Sequence, residues 1–275
     1  MSDSEDGAGV PLIEPVPGSP ADGNGSKRKR GEEDAKQSKR AKRRKNKQPK
    51  DVHDEDLDEA AGLNRSIGRM DGRLLADYMA QRTKRFEPDL SFVELEDRYV
   101  PEKSIRDTSS WDGDRTLDNL PAFIEKIAKG DLTKASKSNG APHTIVVAAS
   151  GIRAADLTRH LLTASRGLRK FEQKGTKVAK LFAKHIKLKE AMESCKRLKM
   201  NFGVGTPQRI SDLLENEALS TSNLQRIIID ASHIDVKKRG IMDMKETQVP
   251  LAQLLARKEL KSRYEQEGGI EVVFY

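Results

Sequence analysis

The sequence predicts an α/β domain in which one parallel sheet carries helices on both faces, preceded by a disordered charged tail and an N-terminal helical arm. Three observations predict it. Short apolar runs at His143-Thr-Ile-Val-Val-Ala148, Arg226-Ile-Ile-Ile-Asp230 and Ile270-Glu-Val-Val-Phe-Tyr275 are continuous enough to be strands buried on both sides. Helix-period stretches separate them, and strands joined through helices run parallel. The first 60 residues hold almost no large apolar side chain, so burial there cannot offset the entropy of ordering.

The tail is built of charge blocks. Residues 1–26 carry five acids and no Lys or Arg, residues 27–50 thirteen Lys/Arg and three acids, and residues 51–59 six acids. Two basic clusters, Lys27, Arg28, Lys29, Arg30 and Lys39, Arg40, Lys42, Arg43, Arg44, Lys45, lie about ten residues apart, the spacing of a two-part nuclear localisation signal read by an import receptor. Asp54, Asp56 and Asp58 alternate like the start of a calcium loop. Glu59 replaces its glycine and Arg65 its closing Glu, so no metal is expected.

Residues 61–115 read as a helix plus an extended arm packing on the core. Leu74, Leu75, Tyr78 and Met79 mark one stripe of a helix of about four turns expected within the stretch from Leu63 to Phe86. Residues 87–115 are turn-rich, with Pro88, Pro101 and Asp112-Gly-Asp114, and Trp111 is expected to pin them to the core rather than to stack on a base. From residue 116 the pattern becomes regular. Pro121 opens a helix to about Lys129, and helices are expected at about Ile152 to Ala164, Leu188 to Leu198, Pro207 to Leu214 and Leu251 to Tyr264. Further strands are expected at Val178 to Phe182 and Phe202 to Gly205.

Composition narrows the function. The longest apolar run, Thr144 to Ala149, is far short of the roughly 20 residues that span a bilayer, so no membrane segment is expected, and the acidic N-terminus does not read as a signal peptide. The one cysteine, Cys195, fits a reducing compartment and reads as core filler. The chain has a net charge of +8 although the first 59 residues sum to −1, so the body itself is basic and an anionic partner is expected.

Ligands of parallel sheets meet the carboxyl ends of strands, which points to Ala149-Ser-Gly-Ile-Arg153, Gly203-Val-Gly-Thr-Pro-Gln-Arg209 and Asp230-Ala-Ser-His233. At the second, Gly205, Thr206 and Arg209 could grip a phosphate at a helix N-terminus, or Thr206 and Pro207 could simply start a helix. Gln208 stands where a dinucleotide fingerprint needs its third glycine. None of the 20 glycines is followed by lysine, so the phosphate-binding loop of nucleotide hydrolases is absent. Asp230 sits where a magnesium-holding acid would end its strand, but Ala231 follows it, and a turn or cap role is favoured. The five histidines form no metal or catalytic set and read as surface or turn residues. Residues 150–200 contain fourteen Lys/Arg and four acids. Lys170, Lys174, Lys177, Lys180 and Lys184 would make a basic stripe if helical, and the window reads as a nucleic-acid face.

Over residues 116–275 these motifs resemble the first RecA-like domain of DEAD-box RNA helicases. Gly151-Ile-Arg-Ala-Ala155 sits where the helicases have Pro-Thr-Arg-Glu-Leu, Gly205-Thr-Pro-Gln-Arg209 looks like their Thr-Pro-Gly-Arg motif, and Ile228-Ile-Asp-Ala-Ser-His233 looks like the Asp-Glu-Ala-Asp strand with Asp230 kept at a degenerate Walker-B position. Together with Asp107-Thr-Ser-Ser-Trp111, Leu120-Pro-Ala-Phe-Ile124 and Lys180-Leu-Phe-Ala-Lys-His185, the layout over residues 63–275 is similar to the Cms family of small-subunit ribosome-assembly factors. That resemblance implies a single RecA-like (P-loop NTPase-like) sheet without cofactor or enzymatic activity. It further implies a ribosome-biogenesis factor of the small-subunit processome in the nucleus and nucleolus, monomeric within a large ribonucleoprotein. Its expected partners are pre-ribosomal RNA and particle proteins, and Arg153, Lys177, Lys180, Lys184, Gly205, Thr206 and Arg209 are the expected RNA contacts. Two alternatives stay open: an enzyme using a nucleotide or dinucleotide at the strand ends, and a pure protein scaffold.

Overall fold

The computed structural model describes residues 56–128, 132, 136–163, 177–183 and 186–275. The charged tail to residue 55 with its import clusters, and Lys170, Lys174, Lys184 and His185, lie outside them. The described residues form one compact unit.

Five strands make a parallel sheet: β3 (Thr144–Val147), β4 (Val178–Leu181), β5 (Phe202–Gly205), β6 (Arg226–Ile229) and β7 (Glu271–Phe274), in the order β4-β5-β3-β6-β7. Side chains alternate across it. Ile145, Val147, Ile227, Ile229, Val272 and Phe274 face one core, and Val146, Ala148, Val204, Ile228 and Val273 face the other. The second face is covered by α4 (Leu120–Ile127) and α5 (Gly151–Thr163), through Phe123, Ile124, Leu157 and Leu161. The first is covered by α6 (Leu188–Arg197), α7 (Pro207–Glu215), α8 (Lys245–Leu255) and α9 (Lys258–Tyr264), joined by α2 (Gly72–Phe86) of the N-terminal region. The expected sheet with helices on both faces is therefore present.

The N-terminal region supplies the expected helix of about four turns as α2, and before it stand elements the sequence reading did not give: a short antiparallel pair, β1 (Leu57–Asp58) with β2 (Leu63–Asn64), then a single turn α1 (Ser66–Arg69). The chain is extended at Met70 and Asp71, and the Asp71 carboxylate starts α2 by accepting the Leu74 N–H at 2.8 Å; Gly72, first in α2, lets the Ile105 carbonyl approach, since a Cβ there would stand 2.9 Å from it. Residues 57 and 58, expected in the tail, are thus ordered; Asp58 pairs with Arg65 at 2.8 Å and Asp56 with Arg69 at 2.6 Å. The arm is also less extended than expected. It holds α3 (Phe92–Arg98), started by a reciprocal capping box between Ser91 and Glu94, and a 3-10 turn at Glu102–Ser104.

Beyond that turn the arm reaches the sheet. Ile105 bridges Val272 in parallel and the Arg106 N–H donates to the Val272 carbonyl at 2.8 Å, covering the free edge of β7. Arg115 is buried and donates to the carbonyls of Phe274 and Thr108. Burial pushes its guanidinium down to about 10, still charged at neutral pH. Trp111 meets the ring of Phe123 edge to face at 5.5 Å, in the anchoring position expected for it.

Three smaller readings are corrected. The long C-terminal helix is two, α8 and α9, broken at Arg257, whose ψ of 138° is extended. Lys180 lies on strand β4, so the basic stripe is not one helix face. His143 is buried rather than superficial, with Nδ1 2.8 Å from Thr144 Oγ1 and Nε2 2.9 Å from the Leu132 carbonyl oxygen.

Candidate functional site: a sealed crevice beside a basic edge

In a doubly wound sheet the ligand crevice opens at the carboxyl ends of two neighbouring strands whose chains depart to opposite faces. Here β3 continues into α5 on one face while β6 leads to α8 on the other. The residues at that point are Arg153, in the first turn of α5, and Asp230, directly after β6. Ser150 starts α5, its hydroxyl accepting the Arg153 N–H at 3.2 Å, which fixes where the arginine side chain departs.

Arg153 turns inward. Its Nε donates to Asp230 Oδ2 at 2.7 Å and its Nη2 to Oδ1 at 3.0 Å, with the two side chains only 10% and 1% exposed. Both oxygens of the acid and one edge of the guanidinium are engaged in this bidentate pair. The acid that might have held magnesium and the arginine expected to face RNA thus occupy each other. His233 stands beside them, and burial, reinforced by the Arg153 charge, holds its imidazole below the usual value, hence neutral. Among the described residues no group of histidine, cysteine, aspartate and glutamate could hold a metal ion.

A cavity of about 280 Å³ lies under the arm, lined by Asn64, Arg65, Trp111, Asp114, Arg115 and Ser232 among others. At its wall Arg65 pairs with both Asp58 and Asp114.

At the end of β5, Thr206 is extended and Pro207 opens α7, the geometry of a helix start, although the Thr206 hydroxyl makes no capping bond. Arg209 reaches back to the Ile186 carbonyl at 3.3 Å. Gly205 has a structural duty there, because a Cβ would fall 2.0 Å from the Leu181 carbonyl oxygen on β4. Ile186 also lines a groove of about 400 Å³ on the outer side of β4, floored by Ala155, Leu162 and Phe182 and rimmed by Arg159 and Lys180. The structure therefore places Lys180 in this groove and Arg209 against the Ile186 carbonyl at its end, leaves exposed Lys177 at the amino end of β4, and turns Arg153 inward onto Asp230. Sequence reasoning missed Arg159 as a member of this rim. Its single signal was the recurrence of cations along α5, Arg153 to Arg159, which a charge count does not resolve into faces.

The fold and site define a parallel α/β domain whose strand-end crevice is closed by an internal ion pair and whose edge is basic. The family described as CMS1, U3-containing 90S pre-ribosomal complex subunit, matches residues 21–275. The chain belongs to the CMS1 family. It is 52% identical over 255 residues to Protein CMS1 of Chaetomium thermophilum, covering 92% of this chain and 97% of that one. Protein cms1 of Schizosaccharomyces pombe is 33% identical, covering 73% and 69%, and human CMSS1 is 28% identical, covering 66% and 59%. A solved structure of S. cerevisiae dbp5, bound to nup159, gle1, ip6 and adp, aligns over 51% of this chain and 31% of that one at 14% identity and a TM-score of 0.34, a likeness that bears on neither fold nor activity.

Proposed function

We propose that this chain is a non-catalytic subunit of the 90S pre-ribosome, working in the nucleus and nucleolus, that binds pre-ribosomal RNA, and proteins of the particle, through a RecA-like domain without a nucleotide site. One observation carries the reading: at the crevice where such sheets hold their ligands Arg153 and Asp230 pair with each other, while Lys180 and Arg159, the latter paired with Asp156, line a groove beside β4, and Arg209 reaches the Ile186 carbonyl at its end. The family description supports the particle, and the helicase-like order of the strand-end motifs supports the fold. A basic edge attracts phosphate through counterion release, without reading sequence. On this reading the tail clusters at Lys27 to Arg30 and Lys39 to Lys45 engage an import receptor, and the chain is a monomer within the ribonucleoprotein.

Crosslinking in cells tests it. Adducts to RNA on residues 150–200 are expected; adducts to protein alone would make the chain a scaffold. Equilibrium dialysis with ATP, NAD and S-adenosylmethionine addresses the enzymatic alternative, and micromolar binding of any of them would overturn the non-catalytic reading.

A further inference from the structure

We infer that helix α3 and the turn before it form a docking surface for a partner protein whose contact face is basic and carries an apolar pocket. Phe92 and Val93 are adjacent and 71% and 67% exposed, whereas single exposed apolar residues are the ordinary case. They are not on a loose end. The Ser91 N–H and hydroxyl both donate to Glu94 Oε2, at 2.8 and 2.7 Å, Leu95 is buried, and Lys261 of α9 donates to the Asp97 carbonyl at 2.8 Å. The apolar pair is therefore presented by a rigid helix, as interface anchors are.

Charge selects the occupant. Residues 87–98, the turn and α3, contain five acids against one cation, Arg98, with Lys261 of α9 paired to Asp97 at 3.6 Å, so the surface stays net acidic in a chain of net charge +8. RNA phosphates would be repelled from this face. The chain's own basic segment, residues 27–50, matches the charge but has no apolar side chain larger than alanine or proline to receive Phe92. A partner protein with both features satisfies charge and apolar contact together. This rests on the proposal that the chain works among other proteins of a particle.

The test replaces Phe92 by photo-reactive benzoyl-phenylalanine in the full chain, irradiates cells, and separates particle fractions from free protein. The expected result is an adduct to another protein, through a Lys/Arg-rich peptide, whose yield falls about ten-fold when Asp89→Lys and Glu96→Lys are added. F92S/V93S, at exposed positions, should leave the circular dichroism unchanged and weaken association of the chain with the same partner. An adduct to RNA, an adduct to residues 27–50 of the chain itself, or no adduct from folded protein overturns the inference. Failure of the chain to sediment with particles would instead sink the particle reading, and the chemistry of the adduct at position 92 is read in either case.

Discussion

Arg153 and Asp230 hold each other at two points, 2.7 and 3.0 Å, and so tie the first turn of α5 to the end of β6, 77 residues later in the chain. Two charges taken out of water are tolerated because each neutralises the other, and neither is tolerable alone. Asp230→Ala should therefore cost about 3–5 kcal/mol in urea unfolding, since it strands the guanidinium. Replacing both, with Arg153→Met and Asp230→Leu, should recover most of that loss. A double variant as unstable as the single one would show that the pair does more than cancel charge.

The carboxyl end of β5 gives a second expectation. Gly205→Ala puts a methyl group against the Leu181 carbonyl and should separate β4 from β5, destabilising the protein by on the order of 2–3 kcal/mol. Gly268→Ala is the control. Its φ of +69° is strained for alanine but nothing stands within 4 Å, so a loss of about 1 kcal/mol is expected. Equal losses at the two sites would refute the close-approach explanation.

Acid should weaken the fold through His233. Its folded pKa lies below the ordinary 6.5, so on acidification the unfolded chain takes up the proton first. The stabilisation is complete above about pH 6.5 and is lost as pH falls below it. The charged groups facing the ring are Arg153, Asp230 and Asp235. Urea titrations of the wild type and His233→Gln over that range should diverge, with the variant the flatter of the two.

Binding to pre-ribosomal RNA should respond to charge at the basic edge. Lys180→Glu with Arg209→Glu is expected to lower affinity and to reduce the salt slope by about one for each phosphate no longer neutralised. An unchanged slope in filter-binding assays would place the RNA elsewhere.

Much of the fold was legible because its strands are continuous apolar runs: Thr144–Val147 and Arg226–Ile229 stand out against charged surroundings and are buried throughout. The N-terminal region was not. The apolar spacing around Leu74 to Met79 gave α2 correctly, but nothing local announced that Gly72 must let the Ile105 backbone pass, and the capping box at Ser91 sits before a helix of only seven residues. At the site, sequence order placed Arg153 and Asp230 at strand ends but could not say that those strands are neighbours or that the two side chains would face each other. Charge counts located the basic window without separating a guanidinium aimed inward from an amine aimed outward.

The seam between Ile105, Arg106 and β7 also imposes a timetable on synthesis. Arg106 and Glu271, which pair at 3.0 Å, are 165 residues apart. At roughly 5–20 residues per second, the arm leaves the translating ribosome roughly 10–30 s before the strand it closes on. Until β7 arrives β6 is the open edge of the sheet, and Ile105 must wait for the strand it closes on rather than pair there.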